Sequence, residues 1–85
     1  MLHEYLKKTT IKAEQFDGSG KQIARYMVRI VAPTSWGEGS YFLLPTKEGD
    51  MKLNTGDWIA TGIDGEHWVI ADDIFRRTYE EVDNG

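Results

Sequence analysis

Short apolar runs separated by turn residues fill the second half of this chain. Residues 41–44, 50–53, 58–61 and 66–70 are short and apolar enough to be strands, and glycines lie in the turns between them. Glycine reaches the positive φ angles that tight hairpin turns require. The pattern predicts four antiparallel strands in a meander. The first is expected to end at Pro45, because proline cannot donate to a central ladder.

Two further elements are predicted before the meander. Residues 9–16 are rich in β-branched side chains and predict a first strand. Residues 21–31 predict an amphipathic helix with Ser19 as its N-cap and Pro33 as its stop. The apolar side chains of that helix recur at i, i+3, i+4 and i+7, namely Ile23, Tyr26, Met27 and Ile30.

The end of the chain predicts a second, shorter helix over about residues 73–78, with Asp72 as its cap. With only 85 residues, the chain is expected to form one domain spanning 1–85. The fold class is therefore α+β in the order β-α-β-β-β-β-α. We expect a four- to five-stranded, mostly antiparallel sheet with the amphipathic helix packed on it and the short C-terminal helix. Trp58 and Trp68 are expected to fill the core.

Composition excludes several classes of function. The chain has no cysteine, so it forms neither disulfides nor thiolate metal sites. Its net charge of −4 and pI near 5.0 make nucleic-acid binding unexpected. No apolar run reaches the roughly 18 residues of a membrane span, and the first ten residues lack the apolar core of a signal peptide. A small domain of this kind can also bury surface as a homo-oligomer.

The last third of the chain carries a recognisable pattern. It consists of Gly56-Asp57-Trp58-Ile59, Gly62, Gly65-Glu66, Asp73-Ile74-Phe75 and Thr78-Tyr79-Glu80. This pattern resembles that of a widespread group of small bacteriophage and prophage proteins of uncharacterised function. Residues 7–18 and 41–54 resemble the first strand and a hairpin of that group more loosely. Residues 67–72, HWVIAD, depart from it, because the group commonly has a run with proline and cysteine there.

The resemblance implies a viral or prophage origin, and hence action in the host cytoplasm, but it implies no activity. The residues themselves predict no catalytic constellation, no metal site and no cofactor. Glu66 and His67 are neighbours, so on a strand they point to opposite faces. The loop at residues 62–66 lacks the features of a phosphate-binding loop, and Asp57 is expected to bond its own backbone in a turn.

One candidate site remains after the turns and tryptophans of residues 53–79 are assigned to the framework. Lys21, Arg25 and Arg29 recur at i, i+4 and i+8 on the predicted helix, and Trp36 lies in the loop after it. Together they suggest a patch for an anionic partner or ligand. The alternative is the ordinary polar face of an amphipathic helix.

Two functions follow from these observations. The first is a non-enzymatic phage protein that binds and modulates a host protein, in host takeover or against host defence. The second is a small-ligand protein that binds or sequesters a nucleotide through the basic helix face, with Arg25, Arg29 and an aromatic residue such as Trp36 or Trp58 forming the site. An enzyme is not expected.

Overall fold

The computed structural model describes residues 2–4, 10–32 and 39–82. Six strands and two helices are formed within these ranges. They are β1 (Lys12–Gln15), α1 (Gly20–Tyr26), β2 (Arg29–Val31), β3 (Tyr41–Thr46), β4 (Gly49–Leu53), β5 (Trp58–Thr61), β6 (His67–Ile70) and α2 (Asp72–Thr78). The α+β class is confirmed. Neither described helix is long and apolar enough to cross a membrane.

The prediction of a single sheet is wrong. The strands form two three-stranded antiparallel sheets, with the orders β1-β5-β6 and β2-β3-β4. We call them sheet A and sheet B. The predicted meander therefore splits into two hairpins, β3–β4 and β5–β6, that belong to different sheets.

The turn between β4 and β5 causes this split. Asp57 fixes the turn as predicted, since its carboxylate accepts from the amide of Asn54 at 2.9 Å. Gly56 adopts a φ of 100°, and its amide donates to the carbonyl of Phe16 at 2.9 Å. The amide of Phe16 in turn donates to the carbonyl of Asp57 at 2.8 Å. The chain that leaves β4 is thereby held at the end of β1, so β5 pairs with β1 on one side and β6 on the other.

The predicted helix over residues 21–31 is too long. Ser19 is the N-cap as expected, accepting from the amide of Gln22 at 3.3 Å. The helix ends at Tyr26, because Met27 adopts the left-handed conformation with a φ of 57°. The amide of Val28 then donates to the carbonyl of Ile23 at 2.9 Å, a hydrogen bond that closes helix C-termini. The next residues extend into β2, which pairs with β3.

Strand β3 continues through Pro45 to Thr46, beyond the predicted end at Leu44. Its partner β2 reaches only to the level of Leu43. No residue of β2 lies opposite Pro45, so the missing N–H of the proline costs no hydrogen bond to β2. Strand β3 can therefore extend into the hairpin with β4.

The core lies between the two sheets and α1. Its buried members come from both sheets and the connections around α1: Phe16, Val28, Leu44, Leu53 and Ile59. Side chains of α1 and of both sheets pack around them. The two tryptophans expected in the core are not among its members. Trp58 and Trp68 alternate with the core-facing residues of β5 and β6, so they lie on the opposite face of sheet A.

Helix α2 begins one residue earlier than predicted, and Asp72 is not its cap. Ala71 is the N-cap residue and has no side chain for a capping hydrogen bond. Asp72 and Asp73 lie in the first turn, where a negative charge interacts favourably with the helix dipole. The Asp72 carboxylate is thus available for contacts outside the helix.

Candidate functional site

The basic residues predicted as a site do not share a helix face. Lys21 and Arg25 are exposed on α1, whereas Arg29 lies on β2 because the helix ends before it. Arg25 pairs with Glu14 of β1 at 2.8 Å, and Arg29 pairs with Asp50 of β4. Both guanidinium groups therefore already have a carboxylate partner.

Trp36, the fourth residue of that predicted site, lies outside the described residues. The proposed role of these four residues in binding stays a prediction. The structure supplies acidic partners for two of them and does not assemble the basic patch.

A polar cluster joins α1 to β1. The Glu14 carboxylate accepts hydrogen bonds from the Tyr26 hydroxyl and from Arg25. The hydrogen bond from Tyr26 is the main cause that lowers the pKa of Glu14, and Arg25 adds to it. Burial is the main cause that raises the pKa of Tyr26, with the bond to Glu14 second. Every charged group of this cluster is paired, so its contribution is to hold the helix on the sheet.

Gln22 is a structural residue that the sequence did not single out. Its side chain is buried, and its amide group bridges two backbone positions of the chain that leaves β1. Nε2 donates to the carbonyl of Gln15 at 2.8 Å, and Oε1 accepts from the amide of Asp17 at 2.8 Å. Gln22 therefore covers the outer edge of β1 at the C-terminal end of that strand.

A stack of three aromatic rings lies on the outer face of sheet A. The rings of Trp58 and Phe75 are nearly parallel, with centroids 4.0 Å apart and an interplanar angle of 12°. Tyr79 continues the stack from Phe75 at 5.3 Å and 23°. Phe75 and Tyr79 are four residues apart, the spacing that places side chains on one side of a helix. We call these three residues the aromatic stack.

Asp72 fixes the orientation of the first ring in the aromatic stack. Its Oδ1 accepts from Nε1 of Trp58 at 2.8 Å and from Nε of Arg76 at 2.9 Å. Nε2 of Gln15 lies at 3.4 Å from the same oxygen and also donates to the carbonyl of Gly56. The bond from Trp58 is the main cause that lowers the pKa of Asp72. One carboxylate thus joins β1, β5 and α2.

The aromatic stack borders a groove at the edge of sheet A. The cavity measures about 430 Å³ and lies between residues 10–13 and residues 80–82, with Trp58, Phe75 and Tyr79 against it. Its volume falls within the range of about 300–1,000 Å³ typical of ligand pockets. We call this cavity the aromatic groove.

The charged residues of the aromatic groove are one base and two acids. Lys12 belongs to β1, and Glu80 and Glu81 follow α2. All three residues are exposed. The groove therefore combines aromatic and aliphatic side chains with polar ones, and its charged residues sum to a net negative charge.

Such an arrangement is suited to binding. Aromatic rings supply large, rigid contact surfaces, and a rim of charge selects what enters. Among the described residues, no group of three histidine, aspartate or glutamate side chains is placed to hold a metal ion.

Comparison with known protein families, with curated proteins and with solved structures finds no match to this chain. The phage-like pattern of residues 56–80 therefore stays a prediction from the sequence.

Sequence reasoning assigned Phe75 and Tyr79 to the framework. It favoured core filling for Trp58, which it also considered as the aromatic residue of a nucleotide site. The i, i+4 spacing of Phe75 and Tyr79 was the available signal, because it places two aromatic rings on one side of a short helix. The stack also needs Trp58 from another element, and no local pattern connects that residue to α2.

Proposed function

We propose that this chain is a small phage- or prophage-encoded binding protein that modulates a host protein without catalysing a reaction. The aromatic groove is the surface proposed to contact that partner. The observation that carries the proposal is the aromatic stack itself, which borders a cavity of about 430 Å³ at a sheet edge.

Residue type supports this choice of surface. Tryptophan and tyrosine are enriched among the residues that contribute most to protein interfaces. In the aromatic groove both are held by neighbours, since Trp58 bonds to Asp72 and Tyr79 stacks on Phe75. Side chains ordered before binding lose less entropy on association.

The alternative of a nucleotide-binding protein has weaker support. It depended on Arg25 and Arg29 acting together, and each of them already pairs with a carboxylate of a strand, on β1 for Arg25 and on β4 for Arg29. A phosphate would have to displace these partners. The aromatic groove is not suited to bind the phosphate of a nucleotide either, because its rim carries two acidic residues and one basic residue.

Affinity capture from host lysate tests the proposal when it is run with two charge-reversed variants. The first is Glu80→Lys with Glu81→Lys, which reverses the rim of the groove. The matched control is Glu48→Lys with Asp64→Lys, which makes the same change of charge at exposed positions in the β3–β4 and β5–β6 hairpins. All four positions are exposed, so both variants are expected to fold.

We expect a partner that the unchanged protein and the control variant both retain and that the groove variant loses. Mass spectrometry of the captured proteins measures this. If no specific partner is captured, or if the groove variant retains it, the proposal is wrong.

A further inference from the structure

We propose that the aromatic groove recognises an arginine side chain on an extended segment of the partner. The guanidinium group stacks on the ring of Tyr79 and forms an ion pair with Glu80 or Glu81. This inference rests on the function proposed above and names the chemistry of the partner.

Charge selects a cation for the groove. Two carboxylates and one ammonium line it, so the rim has a net charge of −1 from Lys12, Glu80 and Glu81. The whole chain is also acidic, with a net charge of −4. Both the local and the overall field favour a basic ligand and oppose a phosphate.

The aromatic stack selects a flat cation. Phe75 is its middle ring, with Trp58 on one side and Tyr79 on the other. Among the described residues Tyr79 is the last ring of the stack and lines the groove, and Glu80 and Glu81 follow it directly in the chain. A guanidinium group is planar, stacks on aromatic rings and matches a carboxylate with two parallel hydrogen bonds. A lysine ammonium matches only the charge.

The edge of sheet A selects an extended segment. In an antiparallel pair, alternate residues direct their backbone groups toward the partner strand. The amide of Phe16 donates to the carbonyl of Asp57, the residue before β5. By alternation, Glu14 directs its backbone groups toward β5 as well, and the amide and carbonyl of Ala13 point to the outer edge. Gln22 covers this edge only at the level of Gln15 and Asp17. Ala13 lines the groove, where an added strand can pair with it.

Three synthetic peptides test the inference directly. The probe is acetyl-Val-Thr-Arg-Thr-Val-amide, and its comparators replace the arginine by citrulline or by lysine. Citrulline keeps the planar shape and removes the charge, whereas lysine keeps the charge and removes the plane. Binding is measured by the anisotropy of a fluorescent label that replaces the N-terminal acetyl group of each peptide, titrated with the unchanged protein.

We expect the arginine peptide to bind at least tenfold more tightly than the citrulline peptide and more tightly than the lysine peptide. Glu80→Gln with Glu81→Gln is expected to lower its affinity by a similar factor. Glu48→Gln with Asp64→Asn is expected to leave it unchanged. These exposed substitutions keep side-chain size, and circular dichroism of each variant checks its fold.

Equal affinity for the arginine and citrulline peptides overturns the inference, as does the absence of saturable binding by the arginine peptide. A nucleotide such as ATP that displaces the labelled peptide from the groove also overturns it. These results leave the proposed function standing if the Glu80→Lys, Glu81→Lys variant still loses the captured partner. If the unchanged protein captures no specific partner, the proposed function itself is wrong.

Discussion

Asp72 is the residue on which the orientation of the aromatic stack depends. Its carboxylate accepts hydrogen bonds from three donors in three elements, namely Trp58, Arg76 and Gln15. The sequence identified Asp72 as important but assigned it to a helix cap. Its actual partners Trp58 and Gln15 lie 14 and 57 residues away along the chain. Contacts at such separations leave no local pattern, so they could not be predicted from the sequence.

The lowered pKa of Asp72 predicts a loss of stability in acid. The folded protein holds this carboxyl in its charged form more strongly than the unfolded chain does. The contribution is therefore complete above the ordinary aspartate pKa of about 3.9 and is lost as the pH falls through the depressed value. Asp72→Asn is expected to lower the melting temperature at pH 7 and to weaken its dependence on acid pH. Some dependence remains, because the pKa of Glu14 is lowered as well.

Asp73→Asn is the matched control for this measurement. Asp73 lies in the same helical turn but is more exposed, and its ion pair with Arg77 is longer, at 3.6 Å. Melting temperatures measured by circular dichroism from about pH 7 to pH 2 compare the two variants. If both variants keep the acid dependence of the unchanged protein, Asp72 does not hold the structure as described.

At the scale of elements, the end of α1 decides the architecture. The apolar residues at 23, 26, 27 and 30 fit a helical period, which is why the sequence predicts a helix to residue 31. Val28, Ile30 and Val31 also form a β-branched run, which favours a strand. Both patterns are present in the same residues, and the pairing of β2 with β3 decides between them. Ile30 and Met27 consequently remain exposed instead of facing the core.

Replacing Met27 by glycine distinguishes a helix that ends at Tyr26 from one that continues to residue 31. The free energy of unfolding is expected to change in opposite directions in the two cases. A left-handed non-glycine residue costs roughly 1–2 kcal/mol, more than the roughly 0.5–1 kcal/mol of added chain entropy that glycine brings. Met27→Gly is therefore expected to raise the free energy of unfolding, by about 0.75 kcal/mol at the midpoints of these two ranges. In a helix that continued to residue 31, the same substitution would lower it by about 1 kcal/mol.

Urea denaturation measures this change. Ala24→Gly is the control, because Ala24 lies inside α1 and is exposed, so its replacement is expected to destabilise by about 1 kcal/mol in either case. A destabilised Met27→Gly variant would contradict the observed helix end.

At the scale of the whole molecule, the division into two sheets follows from one turn. The sequence predicted the strands of both hairpins closely, because turn residues and apolar runs are local signals. It could not predict the backbone hydrogen bonds between Phe16 and the turn at Gly56 and Asp57. These bonds place β4 and β5 in different sheets. It also assigned residues 53–79 to the framework, and the groove emerges only when α2 is placed against β1.

Amide hydrogen exchange tests this division. Strand β4 is an edge strand, and the register of the β3–β4 hairpin directs the amides of Met51 and Leu53 toward β3. The amides of Asp50 and Lys52 point away from β3, to an edge that no other strand of the described residues pairs with. We expect slow exchange at Met51 and Leu53 and fast exchange at Asp50 and Lys52. Uniformly slow exchange along β4 would favour the single meander.

The most direct test of the binding surface is to map where the arginine peptide contacts the protein. In ¹⁵N-labelled protein, the side-chain indole signal of Trp58 and the backbone amides of residues 10–13 and 79–82 report on the aromatic groove. We predict that these signals shift together and saturate as acetyl-Val-Thr-Arg-Thr-Val-amide is added. Shifts centred on Arg25 and Arg29 instead, or no saturable shifts at the groove, would show that the aromatic groove is not the binding surface.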